Sequence, residues 1–194
     1  MMIEKTENRL LFIDTETGGT NPQKHSLLSI GLAVWEKNKG ILGSNEYFIK
    51  HDKYVITKEA QKINQFDEEK HNKESKIGKI VVSEINSFIA NYFLPNYLVP
   101  LAGHNIQFDI NFIKKFYQGL GVSFNKIYSH RALDTYSILR YLFYTGKIDK
   151  DISSSSKAFT YFNVKVSHRH SALCDVLATV ELFEKMLELT KNGV

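Results

Sequence analysis

The chain has 194 residues, 43% hydrophobic and 24% charged, the composition of an ordinary globular protein long enough to bury a core of its own. Its formal net charge of +4 permits a polyanionic partner, although a lysine-rich solvated surface accounts for it equally well. A single cysteine, Cys174, excludes an intrachain disulfide and fits a reducing, cytoplasmic setting; MMIEKTENRL lacks the apolar stretch of a signal peptide, and no run is long enough to cross a bilayer, so no membrane partner is expected.

Residues 10–17 and 26–36 read as strands joined by the turn-forming GGTNPQKH, and 46–51 as a short third strand, an antiparallel meander. TKEAQKIN (57–64) reads as a helix with Thr57 as its N-cap. The charged stretch 67–79 reads as a loop or a solvated helix end. Helical spacing of Val82, Ile85, Phe88 and Ile89 marks a helix over 82–93. VPLAGHN (99–105) is a short buried-type strand. Residues 106–119 form a helix with Phe108, Phe112, Ile113 and Phe116 on its buried side, Asn105 as N-cap and Gly119 as C-cap. A short strand and turn follow at 127–135, then a helix at 136–144, a serine-rich loop at 146–157 and a short helix at 158–164. The last element, 171–190, is the clearest helix, with Val176, Val180, Phe183 and Leu187 in one stripe. No repeat or linker divides the chain. The order predicts a single domain over residues 1–194, an α/β fold whose mixed sheet, antiparallel meander then parallel strands, is flanked by helices.

Three stretches carry chemistry. In LLFIDTETGG, alternation puts Leu10, Phe12, Asp14 and Glu16 on one face of the first strand. Two adjacent carboxylates repel unless a cation sits between them, and Mg²⁺ takes carboxylate oxygens and water. An isolated Asp-x-Glu at a solvated strand end would mean nothing. In AGHNIQFDINF, Asp109 falls in the first helical turn, where a helix dipole also favours an acid. In SHRHSALCDVLATVELF, Asp175 opens the last helix and His170 lies five residues earlier. Five helical residues rotate through roughly 500°, so the two converge only if His170 lies on the loop leading in. A histidine arriving beside a carboxylate cluster is a candidate general base. His168 and Arg169 read as phosphate contacts or as solvated residues, and the aromatics Tyr141, Phe143 and Tyr144 as core rather than as base-stacking groups.

Together, in this order, the three stretches resemble the motifs of the DEDDh (DnaQ-like) 3′–5′ exonucleases: Asp14-Thr15-Glu16-Thr17, then His104-Asn105-Ile106-Gln107-Phe108-Asp109, then His170 through Asp175. Leu133-Asp134-Thr135 also resembles a recurring segment of that family, and the likeness runs from residue 10 to about 187. The resemblance implies a ribonuclease-H-like fold and two divalent ions, Mg²⁺ or Mn²⁺. Asp14, Glu16 and Asp175 would hold the catalytic ion, Asp14 would bridge to the second, Asp109 would serve that side, and His170 would take a proton from the attacking water. The implied reaction is removal of nucleoside 5′-monophosphates from a nucleic acid 3′ end. One position departs from the family: Thr20 stands where an apolar wedge near the terminal base is usual. The neighbouring glycine N–H groups either meet substrate or merely build a tight turn.

Single-stranded DNA is the favoured substrate, with an exoribonuclease of the ribonuclease T kind close behind. A non-cutting module that holds nucleic acid ends is the alternative from another class, and the full set of acids and histidine argues against it. No long tail follows the last helix to tether a polymerase, though neither a polymerase partner nor a homodimer is excluded. Lysines in 70–79 and 147–157 either steer a polyanion or sit on solvated loops.

Overall fold

A computed structural model describes residues 6–152, 154–166 and 171–191. Strands β1 (Arg9–Thr17), β2 (Leu27–Glu36) and β3 (Gly40–Phe48) form the expected antiparallel meander. Helices α1 (Lys58–Asn64), α2 (Glu68–Glu74) and α3 (Gly78–Ala90) follow. Then β4 (Val99–Gly103) joins β1 in parallel, α4 (Gln107–Gly119) crosses over, and β5 (Tyr128–Asp134) joins β4 in parallel. Helices α5 (Thr135–Tyr144), α6 (Ser155–Tyr161) and α7 (Ala172–Lys191) complete the described chain. The sheet order is β3-β2-β1-β4-β5, the mixed α/β arrangement that the element order predicts. No helix among the described residues is long and apolar enough to cross a membrane.

The central strands lie between two helical layers, and alternation assigns each side chain to one of them. Leu11 and Ile13 of β1 pack with Val81, Val82 and Ile85 of α3 and Phe112, Ile113 and Tyr117 of α4. Phe12, with Ala33 and Trp35 of β2, packs with Leu139 and Leu142 of α5, Phe159 of α6 and Val176, Val180 and Phe183 of α7. The ring of Phe183 lies 5.4 Å from that of Phe12 and 5.1 Å from that of Trp35, edge-on to the indole. All ten residues of β2 are buried, which its near-continuous apolar run requires.

Several boundaries differ from expectation, among them α6, which begins at Ser155 rather than at residue 158. Strand β3 begins at Gly40 rather than at residue 46, because a tight turn with Asn38 (φ 69°) and Gly40 (φ 76°) folds it straight back onto β2; as an edge strand it leaves Ile41 exposed, so its first half has no apolar alternation to read. Helix α3 begins at Gly78 behind a cap residue, Ile77, that makes no side-chain bond. The charged stretch holds a short exposed helix, α2, capped by Asp67. Thr57 caps α1 as expected, its Oγ1 accepting the Ala60 N–H at 3.1 Å.

One close approach sets the position of α7. A Cβ placed on Gly31 of β2 would lie 2.2 Å from the Ala172 carbonyl oxygen, so only glycine lets the first turn of α7 rest on the strand. Ala33, two residues along on the same face, continues this lane of small side chains. Gly31→Ala is therefore expected to destabilise the protein by about 1–3 kcal/mol, the usual cost of overpacking, lowering Tm by about 2–12 °C. Gly119→Ala in α4, where nothing lies within 4 Å of the added Cβ, is the control and should leave Tm unchanged or slightly raised in the same melts.

Candidate active site

The seat of α7 on Gly31 brings the carboxylates together. Gly31 is the register partner of Asp14 across β1 and β2, so whatever rests on Gly31 lies beside Asp14. Asp175 sits in the first turn of α7 and thereby reaches the face that carries Asp14 and Glu16. Ligand oxygens of Asp14, Glu16 and Asp175 all lie within 4.8 Å of one another. Asp14 and Glu16 are half-buried and Asp175 is buried, so water screens their repulsion poorly. An all-oxygen set of this kind suits a hard divalent cation such as Mg²⁺ or Mn²⁺.

Glu46 of β3 fixes the entry to α7 from the side. Its Oε1 accepts from Ser29 Oγ at 2.8 Å and from the Ala172 N–H at 3.2 Å, and its Oε2 accepts from Ser171 Oγ at 3.0 Å. A carboxylate on the N–H groups of a first helical turn is also favoured by the helix dipole. His170, with Ser167, His168 and Arg169, lies outside the described residues.

The fourth acid is held from the other face of β1. Thr15 points away from Asp14 and Glu16, and its Oγ1 donates to Asp109 Oδ1 at 2.6 Å, both residues being buried. Burial pushes the Asp109 carboxyl up to about 7, the Thr15 hydrogen bond pulls against it, and the charge of Asp134 adds to the rise. Asp134 also builds the turn that launches α4. Its Oδ1 accepts the Asn105 N–H at 2.9 Å and the Tyr136 N–H at 3.0 Å. Thr135 Oγ1 donates to the Gly103 carbonyl at 3.2 Å and lies 3.0 Å from His104 Nδ1. Asn105 takes a left-handed conformation, φ 53°, and does not cap α4; the cap position falls to Ile106, which offers no side-chain bond. The Leu133-Asp134-Thr135 segment thus holds the His104-Asn105 turn, and that turn aims Asp109.

Asp14, Glu16, Asp109 and Asp175 all line one cleft of about 370 Å³, with Thr15, Ile63, Asn64, His104, Asn105 and Phe108. Periodicity puts Phe108 on the buried side of α4, yet it is 39% exposed, and Ile63 of α1 is 53% exposed. Both sit at the cleft as apolar walls. Asn64 Nδ2 donates to the Thr17 carbonyl at 2.9 Å and ties α1 to the end of β1. Only the misplacement of two large apolar side chains at a polar cleft marks Ile63 and Phe108, and that signal needs the fold. In the glycine turn, the Gly18 N–H is spent on the Ser26 carbonyl at 2.7 Å, and the Gly18 carbonyl accepts from Thr57 N at 2.7 Å. Gly18 serves a tight turn, with no N–H left for a ligand; Thr20 is exposed.

The raised Asp109 carboxyl has a signed consequence for stability. The folded state holds this proton up to about 7, whereas the unfolded chain loses it near 3.8. Stability from this group is therefore full below about 4 and lost as pH rises to 7 and beyond. In EDTA, Asp109→Asn should melt close to the unmodified protein at pH 4 and several degrees above it at pH 8. A difference independent of pH, read by thermal melts across that range, contradicts the account.

The same residues fall inside a family match. The family model RNase T, described as an exonuclease, covers residues 11–183. The PolC-type DNA polymerase III of Caldanaerobacter subterraneus subsp. tengcongensis is 30% identical over 182 residues, 94% of this chain but 12% of that protein. The oligoribonuclease of Bordetella pertussis is 20% identical over 183 residues, 90% of this chain and 91% of that protein. Among solved structures, the zinc-bound complex of E. coli exonuclease I with single-stranded DNA superposes with a TM-score of 0.79 at 17% identity, covering 95% of this chain and 41% of that one. Cell-death related nuclease 4 gives 0.75 at 13% identity, covering 94% and 64%. This chain therefore spans well under half of the polymerase and of exonuclease I, and the structural likenesses speak for a shared ribonuclease-H-like fold. With the match running from β1 through most of α7 and enclosing all four acids of the cleft, the chain belongs to the DnaQ-like exonuclease family.

Proposed function

We propose that this chain is a single metal-dependent 3′–5′ exonuclease domain that hydrolyses phosphodiester bonds at the 3′ end of single-stranded nucleic acid and releases nucleoside 5′-monophosphates. The observation that carries the reading is the convergence of Asp14, Glu16 and Asp175 within 4.8 Å beside the buried Asp109. Asp14, Glu16 and Asp175 would hold one divalent ion, and Asp14 with Asp109 the side of a second. Bound there, such ions activate water and neutralise charge on the phosphoryl oxygens and the leaving 3′ oxygen. His170 takes the proton from the attacking water, the role its position before Ser171 and its pKa class suit. Ile63 and Phe108 seat the apolar faces of the terminal nucleotide, and the Thr15 hydroxyl keeps Asp109 aimed at the cleft.

Single-stranded DNA is the favoured substrate, supported by the likeness to the PolC-type polymerase at 30% identity. A second reading, short RNA, is supported by the oligoribonucleases, which match over nine-tenths of their own length. The sugar is told apart by contacts to the 2′-OH, so one experiment addresses both. Matched 5′-labelled DNA and RNA oligonucleotides with Mg²⁺ or Mn²⁺ should shorten from the 3′ end, and the faster ladder names the sugar. Loss of an outer partner of a metal site costs about 10–100-fold, so Asp14→Ala, which removes a direct ligand, should cost at least ~100-fold. An unshortened pair of substrates that still bind would leave a non-cutting end-binding module instead. Thr15→Val should keep the ladder but raise the Mg²⁺ needed for half-maximal rate by about 10-fold or more; an unchanged Mg²⁺ requirement would remove Thr15 from this role.

A further inference from the structure

Helix α5 leads away from the cleft with an unusual outer face. Its first turn belongs to the cleft: Asp134 caps it while bonding Asn105, and Thr135 contacts His104 and the Gly103 carbonyl. The Tyr136 ring lies edge-on to the His104 ring, centroids 6.2 Å apart. Residues 136, 140 and 144 recur every four positions and so share one face. The inner face is filled by Leu139 and Leu142, with Ile138 and Phe143 packed against the same core. Tyr141 and Tyr144 take no part in it, at 64% and 71% exposure. The sequence pattern places all three of Tyr141, Phe143 and Tyr144 in the core; only Phe143 is there.

The Arg140 guanidinium is held in place between these rings. Its carbon lies 4.8 Å from the Tyr144 ring centroid and 5.9 Å from that of Phe143. One of its nitrogens bonds the Tyr144 hydroxyl and another pairs with Asp151. A planar cation fixed against an exposed ring offers a flat surface to a nucleobase at little further loss of side-chain freedom. Beyond the helix, Lys147, Lys150 and Lys157 are exposed, while Asp149 accepts from the Tyr161 hydroxyl at 2.8 Å. Cations flanking exposed rings are the arrangement that binds single strands, rings stacking on bases and cations following the backbone.

We propose that Tyr136, Arg140 and Tyr144, with Tyr141 beside them, form a stacking track on α5 that carries the single strand leading away from the cleft. The proposal rests on the exonuclease reading for the location of the 3′ end. From residue 136 to 144 the helix rises about 12 Å. Stacked nucleotides rise about 3.4 Å each, so the track takes roughly three. Stacking is indifferent to sequence and to the sugar, so DNA and RNA use it alike.

Fluorescence anisotropy in EDTA, with 5′-fluorescein-labelled dT12, rU12 and dT3, tests the track without requiring cleavage. Tyr144→Ala is expected to weaken dT12 and rU12 about tenfold, the value of about one stacked base, and dT3 by less than twofold. Tyr144→Trp should restore binding. Arg140→Lys, which keeps the charge and loses the plane, should resemble Tyr144→Ala. The dependence of dT12 binding on salt should be unchanged in Tyr144→Ala, whereas Lys147→Glu with Lys150→Glu should make it shallower. Hydrolysis of thymidine 5′-(p-nitrophenyl phosphate), which fills only the cleft, should be unaffected by all of these variants. Equal losses for dT3 and dT12, or no loss for dT12, overturns the track. An unmodified protein that hydrolyses neither oligonucleotides nor the ester overturns the exonuclease reading, and the dependence of anisotropy on length still decides the track.

Discussion

The contact between the Ala172 carbonyl and the backbone of Gly31 is the one on which the rest of the molecule turns. It joins the strand beside Asp14 to the helix that carries Asp175, with no side chain between them. Every larger residue at position 31 pushes α7 outward, and an outward shift separates Asp175 from Asp14 and Glu16. The same seating closes the second core, because Phe183 and Val180 reach Phe12 and Trp35 only when the helix lies flat on the sheet. Glu46, itself held by Ser29, adds a lateral tie, so the helix start is set both in height, by Gly31, and along the sheet edge, by two hydrogen bonds.

That precision serves an electrostatically costly arrangement. Four acids share one cleft, three of them with oxygens in mutual reach and the fourth buried beneath a threonine. The surrounding structure holds them there by rigid means: a strand end, two first helical turns, and a left-handed turn pinned by Asp134. Groups that must hold fixed geometry are best carried by strands and helices whose own partners are satisfied. The apolar walls, Ile63 and Phe108, come from the short helix α1 and from the exposed side of the same first turn of α4 that carries Asp109.

The acids were legible in the sequence because three acid-bearing stretches occur together in one order, although each alone has a rival use: a solvated strand end for Asp14 and Glu16, a helix dipole for Asp109. Paired carboxylates ending an apolar strand, and acids opening apolar helices, stand out against the periodicity of β1, α4 and α7. The central strands and the longer helices were legible from their apolar patterns, whereas the edge strand β3 was legible only in its second half. What escaped depends on neighbours remote in sequence. Asn105 looks like a cap until Asp134, from another strand, claims its N–H. Phe108 fits the buried stripe of α4, but at that level the sheet has ended and the cleft has begun. Tyr141 and Tyr144 fit a core pattern equally well, and the choice falls to Leu139 and Leu142, which fill the available space. Glu46 gives no signal in its own segment, since its partners lie 17 and more residues away. Gly31 reads as one more small residue in a strand until a helix about 140 positions later is laid across it.

The order of the chain also gives the cleft a history. Asp14, Glu16 and Asp109 are laid down with the first sheet and α4, whereas Asp175 arrives with α7, the last helix of the described chain. A nascent polypeptide emerging from the ribosome can pair its strands and bury much of its first core before the last of the four carboxylates, that of Asp175, exists. During that interval it lacks the oxygen cluster. Seating α7 is then the step that finishes the second core and assembles the cleft together, so that maturity of the fold and arming of the site are one event.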